Sequence, residues 1–181
     1  MIYFSVWILL LYCLGLVRTV SYEMCSTNRC FTLFDESTTW ENADVYCKNI
    51  GQELATPSDL STANLLINFC KTYIRNQGQN TPSVWIGLSD IATEGQMVFK
   101  DGTELDLNVS WPWAPGEPVN TILYNCVRMQ GSANFLWQLF YCSNTYLVIC
   151  ERSLLVYILE TAVENREYLE ILMWQTLREF Q

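Results

Sequence analysis

Val84-Trp85-Ile86-Gly87-Leu88, closed by Ser89-Asp90, is a short apolar run that sits where the chain changes character. A run of this length bounded by polar residues suits a buried strand. Just beyond it, Met97-Val98-Phe99 with Asp101-Gly102 behind reads as a strand entering a hairpin turn. Ile122 to Met129, Phe135 to Trp137 and Tyr146 to Cys150 read as three further short strands. Upstream of the run the periodicity is helical. Ser58 to about Tyr73 places Leu60, Ala63, Leu66, Ile67 and Cys70 along one face. Glu36 to Asn49 carries Trp40, Ala43, Val45, Tyr46 and Cys47, with Thr38 or Thr39 as candidate N-cap and Gly51 as the stop. Glu53-Leu54-Ala55-Thr56-Pro57 is a short extended link, and 76–82 is a polar loop. Helices first and short strands after predict an α+β fold.

Leu105 to Val119 has three prolines, two tryptophans and no periodicity, so it is expected to be a long irregular loop. Ser153 to Gln181 differs again. It contains no Cys, Gly or Pro, and Leu155, Leu159, Ala162, Leu169, Leu172, Met173, Leu177 and Phe180 recur helically. Glu160 interrupts that stripe too early for a membrane span. An apolar stripe must be covered somewhere, either by the domain itself or by self-association with a second copy. At the other end, Tyr3 to Val17 is almost wholly apolar and stops at Arg18, the length of a signal-peptide core with cleavage expected after Ser21. No Lys or Arg precedes it, which leaves an uncleaved anchor as the alternative. The expected organisation is a signal peptide over 1–21, one domain over 22–152 and an amphipathic tail over 153–181.

The chain has 181 residues, half of them apolar, and a net charge of −9 from 19 acids and 10 bases. No Lys/Arg cluster exists, so no nucleic-acid partner is expected. Export gives the cysteines meaning. Of eight, Cys13 lies in the apolar leader, leaving Cys25, Cys30, Cys47, Cys70, Cys126, Cys142 and Cys150. Without any His and without matched short Cys pairs, a disulfide framework is preferred over a zinc site. An odd count leaves one thiol over. The lack of His also removes Ser-His and Cys-His pairs, and acids such as Asp35-Glu36 are simply adjacent, so no enzyme is expected.

Several fragments carry a resemblance. Cys30-Phe31 leads into Trp40-Glu41-Asn42-Ala43-Asp44-Val45-Tyr46-Cys47, then Leu54-Ala55-Thr56, Trp85-Ile86-Gly87-Leu88-Ser89-Asp90 and Glu94-Gly95-Gln96-Met97. Asp101-Gly102, Trp113-Ala114-Pro115-Gly116-Glu117-Pro118, Asn125-Cys126-Val127, Trp137, Cys142 and Ile149-Cys150-Glu151 complete the order. This set resembles the C-type lectin-like domain family from Cys30 to Glu151. The resemblance implies two helices with a double-looped antiparallel β-sheet and disulfides Cys47–Cys150 and Cys126–Cys142. It also offers Cys25 as a partner for Cys30, at an unusually short spacing. Cys70 is then the odd thiol, either a buried small apolar residue or an intersubunit bridge.

Sugar-binding members of the family hold calcium with oxygen ligands from a loop Glu-Pro-Asn, a Glu before the Cys126-type position and an Asn-Asp pair after the late Trp. Carried over, only Glu117 survives. Val119 stands for the loop Asn, Tyr124 for the second Glu, and Gln138 and Leu139 for Asn and Asp. A Ca²⁺ ion dehydrated against Val119 and Leu139 would not recover its hydration. No cofactor is therefore required, and calcium is not expected at the sugar site, although Asn120 is one residue away from rescuing Val119. Asp90 and Glu94 resemble ligands of an auxiliary calcium site found in some relatives, with Asn120 and Asn125 at positions where carboxylates are commoner. Their alternative reading is a turn cap and a hairpin signature. The resulting candidates for ligand binding are Trp111, Glu117, Asn120, Tyr124, Asn125 and Gln138, with Trp111 either packed or an exposed stacking ring. Asn108-Val109-Ser110 is a sequon in an exported chain. The expected role is a secreted recognition module for a glycan or an extracellular protein.

Overall fold

The computed structural model describes residues 21–75, 78–119, 121–163 and 166. The leader with Cys13, Asn120, and the tail positions Leu169 to Phe180 lie outside the described residues. Among the described residues two helices and eight strands build the domain: β1 (Ser21–Cys25), β2 (Arg29–Thr38), α1 (Trp40–Asn49), β3 (Glu53–Leu54), α2 (Leu60–Tyr73), β4 (Val84–Ser89), β5 (Val98–Phe99), β6 (Cys126–Gln130), β7 (Leu136–Phe140) and β8 (Tyr146–Ser153). Residues 154–163 add a further helix. The strands form one sheet in the order β1-β2-β8-β4-β6-β7, with β3 on β8 and β5 on β4. Every pairing is antiparallel except β4 with β8, which run parallel.

Both helices begin later than their periodicity suggests. Ser37 and Thr38 stay in β2 because they pair with Leu147 and Tyr146 of β8. Thr39 then caps α1, its side chain accepting from the Asn42 amide at 3.4 Å. Trp40 is pinned at the helix start, with its indole N–H donating to the Ile86 carbonyl at 2.8 Å. Gly51 ends the turn at φ 72°, a left-handed conformation that costs glycine little. At α2 the cap is Asp59, which accepts from the Thr62 amide at 2.8 Å. Burial pushes the Asp59 carboxyl up, but hydrogen bonds from Ser61 and Thr62 and the Arg29 charge outweigh it and hold the pKa at about 2.

The sheet separates two apolar clusters. One gathers α2 with Phe31, Leu33, Ile86, Leu88, Val127, Trp137 and Ile149, and the other gathers α1 with Phe34, Trp85, Cys126 and Val148. Gly87 lets the link after β3 cross the sheet closely. A Cβ there would stand 3.1 Å from the Leu54 carbonyl, and the Gly87 amide donates to the Ala55 carbonyl at 2.7 Å. Disulfides join Cys47 to Cys150, Cys126 to Cys142 and Cys25 to Cys30. The first closes a span of 103 residues, worth about 4–5 kcal/mol in the chain-entropy account. Cys70 is a free thiol, buried in the α2 cluster, and burial raises its pKa far above the ordinary range.

Candidate functional site

The long loop is anchored by tryptophans. Trp111 is only 9% exposed, stacks on Trp137 at 5.3 Å and donates its indole N–H to the Asp106 carbonyl at 2.8 Å. Of the two readings of Trp111, packed or exposed stacking ring, the structure shows the packed one: the indole N–H is satisfied internally and the ring is buried against Trp137. Trp113 meets Trp137 edge-on at 5.6 Å and is half-buried. The two rings together fix the loop to β7.

Glu117 follows at the loop's tip, before the cis bond to Pro118. Its Oε2 accepts from the Val119 amide at 3.1 Å and the Leu139 amide at 3.3 Å. This carboxylate thus ties the loop to β7 through backbone donors. Leu139 is 1% exposed, its side chain in the α2-side cluster. Gln138, one residue earlier, points to the opposite face of β7. There its Oε1 accepts from Arg128 Nε at 3.2 Å and Nη2 at 2.7 Å, so this ligand-binding candidate is engaged within the fold. The guanidinium already occupies that acceptor. Tyr124 stacks on Phe140 at 5.6 Å and meets Tyr141 edge-on at 4.6 Å. Its hydrogen bond with Tyr141, and then the nearby charges of Tyr141 and Glu117, raise its pKa above the usual phenol value.

Asp90 and Asn125 meet where β4 ends and β6 begins. The Asp90 amide donates to the Asn125 carbonyl at 3.1 Å, and Asp90 Oδ2 accepts from the Gly95 amide at 3.0 Å, closing the 90–95 turn. Asp90 Oδ1 and Asn125 Oδ1 are buried without a hydrogen-bond partner. Glu94 is exposed. Two inward oxygens are chemically suited to a hard cation, but among the described residues no three acids or thiols converge as a metal cage.

Sequence reasoning missed the surface around these residues. The expected strand over Ile122 to Asn125 is a turn, and Ile122 and Leu123 are 78% and 58% exposed. With Val119 and Tyr141, also exposed, they form an apolar fringe beside Tyr124. No local signal in the sequence separates an exposed apolar turn at Ile122 and Leu123 from the start of a strand. Asn108 is exposed, its amide donating to Asp106 Oδ1 at 2.8 Å.

Two helices on opposite faces of a disulfide-closed sheet, with a long tryptophan-anchored loop at one corner, define the architecture. The family described as "Lectin C-type domain" matches residues 36–152, and the chain belongs to that family. It is 26% identical over 126 residues to the "C-type lectin mannose-binding isoform" of Oxyuranus scutellatus, covering 67% of this chain and 75% of the relative. It is 25% identical over 130 residues to the "Alpha-N-acetylgalactosamine-specific lectin" of Patiria pectinifera, covering 68% and 74%. Among solved structures, the cow C-type carbohydrate-recognition domain of CD23, crystallised in the presence of a GlcNAc2Man3 oligosaccharide, superposes with a TM-score of 0.59 at 25% identity, covering 72% and 92%. Among the described residues no helix is long and apolar enough to cross a membrane.

Proposed function

We propose that the chain is a secreted, non-enzymatic recognition module that binds its partner through the long loop without calcium. The observation that carries this is the use of oxygens at the loop corner. Glu117 is committed to two backbone amides, Gln138 to Arg128, and Val119 and Leu139 offer no donor atom. A calcium ion placed there would break existing hydrogen bonds and regain one carboxylate. The relatives' names point to carbohydrate recognition, and a glycan held by direct contacts is compatible with this reading. The exposed Ile122, Leu123 and Tyr141 favour a protein surface, since aliphatic and aromatic side chains together suit an interface centre.

The test is binding of the purified chain to glycan and protein arrays with calcium and with EDTA. Signal that survives EDTA and falls about tenfold in the Ile122→Ser/Leu123→Ser double variant supports the proposal. Monosaccharide binding by titration calorimetry that EDTA abolishes overturns it. A second reading, a calcium-dependent lectin with a degenerate site, draws on the unpartnered oxygens of Asp90 and Asn125. It requires a rise in Tm on adding millimolar calcium.

Two further elements belong to the proposal. Asn108 is exposed within its sequon and would carry a glycan, seen as a mass shift removed by N-glycosidase. The helix over 154–163 leaves Leu155, Ile158, Leu159 and Val163 more than half exposed, which favours self-association through the tail. Light scattering on a chain ending at Arg152 should show a smaller assembly. An unchanged mass per domain would remove self-association through this stripe.

A further inference from the structure

Arg128 is 9% exposed, yet among the described residues no carboxylate lies within ion-pair distance of it. Its guanidinium carbon lies 3.9 Å from the centre of the Phe140 ring and 4.6 Å from that of Tyr146. Nε and Nη2 donate to Gln138, and Nη1 has no acceptor among the described residues. Aromatic faces and one amide oxygen offset part of the cost of burying a cation, but they supply no opposite charge. The charge of Glu117 acts on Arg128 from farther off, and that carboxylate is committed to the Val119 and Leu139 amides.

Arg128 also forms part of the wall of a cavity of about 410 Å³ at the end of the sheet where β4 begins. The rest of the lining is neutral and mostly hydroxyl or amide, including Ser37, Gln79, Asn80, Ser83, Ser132 and Thr145. Among the described residues no acid lines it, in a chain with 19 acids and 10 bases. Two of the hydroxyls are oriented by what they already accept. Ser83 Oγ accepts from the Gly131 amide at 3.2 Å, and Ser132 Oγ accepts from the Gln130 side chain at 3.2 Å. Each is left with its O–H proton to donate. A cavity presenting a guanidinium and hydroxyl donors, with no carboxylate to repel, is complementary to a tetrahedral or planar oxyanion.

We propose that this cavity binds an oxyanion, a sulfate, phosphate or carboxylate group, through Arg128 Nη1 and the hydroxyls of Ser83 and Ser132. The anion would supply the counter-charge that the fold leaves out. The group could be free in solution or carried on a larger ligand such as a sulfated sugar. The inference does not rest on the long-loop reading, because none of the cavity's residues belongs to that loop.

The test follows the Arg128 Nε–H resonance of the full chain by NMR as sodium sulfate replaces sodium chloride at constant ionic strength. A saturable shift with half-saturation on the order of 1 mM is expected, because a single charge-assisted contact set supports affinity of that order. Ser132→Ala should weaken it about three- to tenfold, the loss of one hydroxyl contact, with Tm unchanged. Arg128→Gln should abolish it. If that variant does not fold, Ser132→Ala decides alone. 3′-Sulfated lactose titrated beside lactose separates the sources: tighter binding than inorganic sulfate indicates a ligand-borne group, and weaker binding a free ion. A shift that never saturates, that chloride reproduces, or that Ser132→Ala leaves untouched overturns the proposal.

Discussion

Two corners of this domain, one at the long loop and one where β4 meets β6, handle their side-chain oxygens differently. At the long-loop corner, side-chain oxygens are engaged by the protein's own donors: Glu117 Oε2 by the Val119 and Leu139 amides, Gln138 Oε1 by Arg128. At the β4–β6 corner, Asp90 and Asn125 each keep a buried oxygen with no partner. The bonds at the first corner make it a joint that holds the loop down. The second still bears the desolvation of polar atoms with no hydrogen bond to offset it, which is the pattern expected where something else is meant to complete the shell.

Leu139→Asp tests the joint most severely. The residue is 1% exposed in a packed cluster, so the restored carboxylate would enter the core instead of the loop pocket. A loss of about 3–5 kcal/mol in urea unfolding is expected, from the cavity left by leucine and the burial of a charge. A stable Leu139→Asp protein that gains calcium-dependent sugar binding would mean that the corner is still a site, and the contrast between the corners would vanish.

Glu117→Ala comes next. It leaves the Val119 and Leu139 amides without their acceptor, which costs about 1–2 kcal/mol when the donors are not fully rehydrated. The loss should be the same in calcium and in EDTA, because the carboxylate serves the loop and not an ion. Asp90→Ala should cost about 1 kcal/mol through the Gly95 amide. It sharpens the comparison from the other side. Any rise in Tm produced by millimolar calcium should disappear in Asp90→Ala and persist in Glu117→Ala. The reverse pattern would exchange the roles of the two corners.

How far the sequence announced this depends on the range of the interactions. The helices were legible because their apolar spacing, the Thr39 cap and the Gly51 stop are all local. Their starts were misplaced where partners far along the chain intervene, as β8 does in drawing Ser37 and Thr38 into β2. The strands β1 and β2 escaped notice for the same reason: their order comes from a hairpin and from β8, not from any alternation of their own. That the side chains of Val119 and Leu139 offer no oxygen could be read from residue type alone. That Gln138 is occupied could not, since it depends on Arg128 standing opposite in β6. Trp111 and Trp113 are two residues apart with the same side chain, and only the stacking on Trp137 decides which one is buried. Gly131 shows the same limit. A Cβ there would collide with the Pro82 and Thr81 carbonyls, a constraint that composition does not reveal.

The smallest expected effect is the most local probe of the joint. Tyr124 titrates above the ordinary phenol value because of its hydrogen bond with Tyr141, helped by the negative charges around it, Glu117 included. With the folded value raised, the neutral phenol is the form the fold prefers. Its contribution to stability is present below the unfolded value, near 10, and is lost as pH rises through the folded one. Absorbance titration of the phenolates should show one late tyrosine that moves back toward the ordinary value in Tyr141→Phe, and slightly in Glu117→Gln. Calcium gives the discriminating arm. A divalent ion beside Glu117 would stabilise the Tyr124 phenolate and pull the transition down, whereas a corner closed by its own hydrogen bonds gives the same curve with and without the ion. A downward shift in calcium would show that the loop carboxylate is still available, and that the joint opens for a ligand it was thought to have replaced.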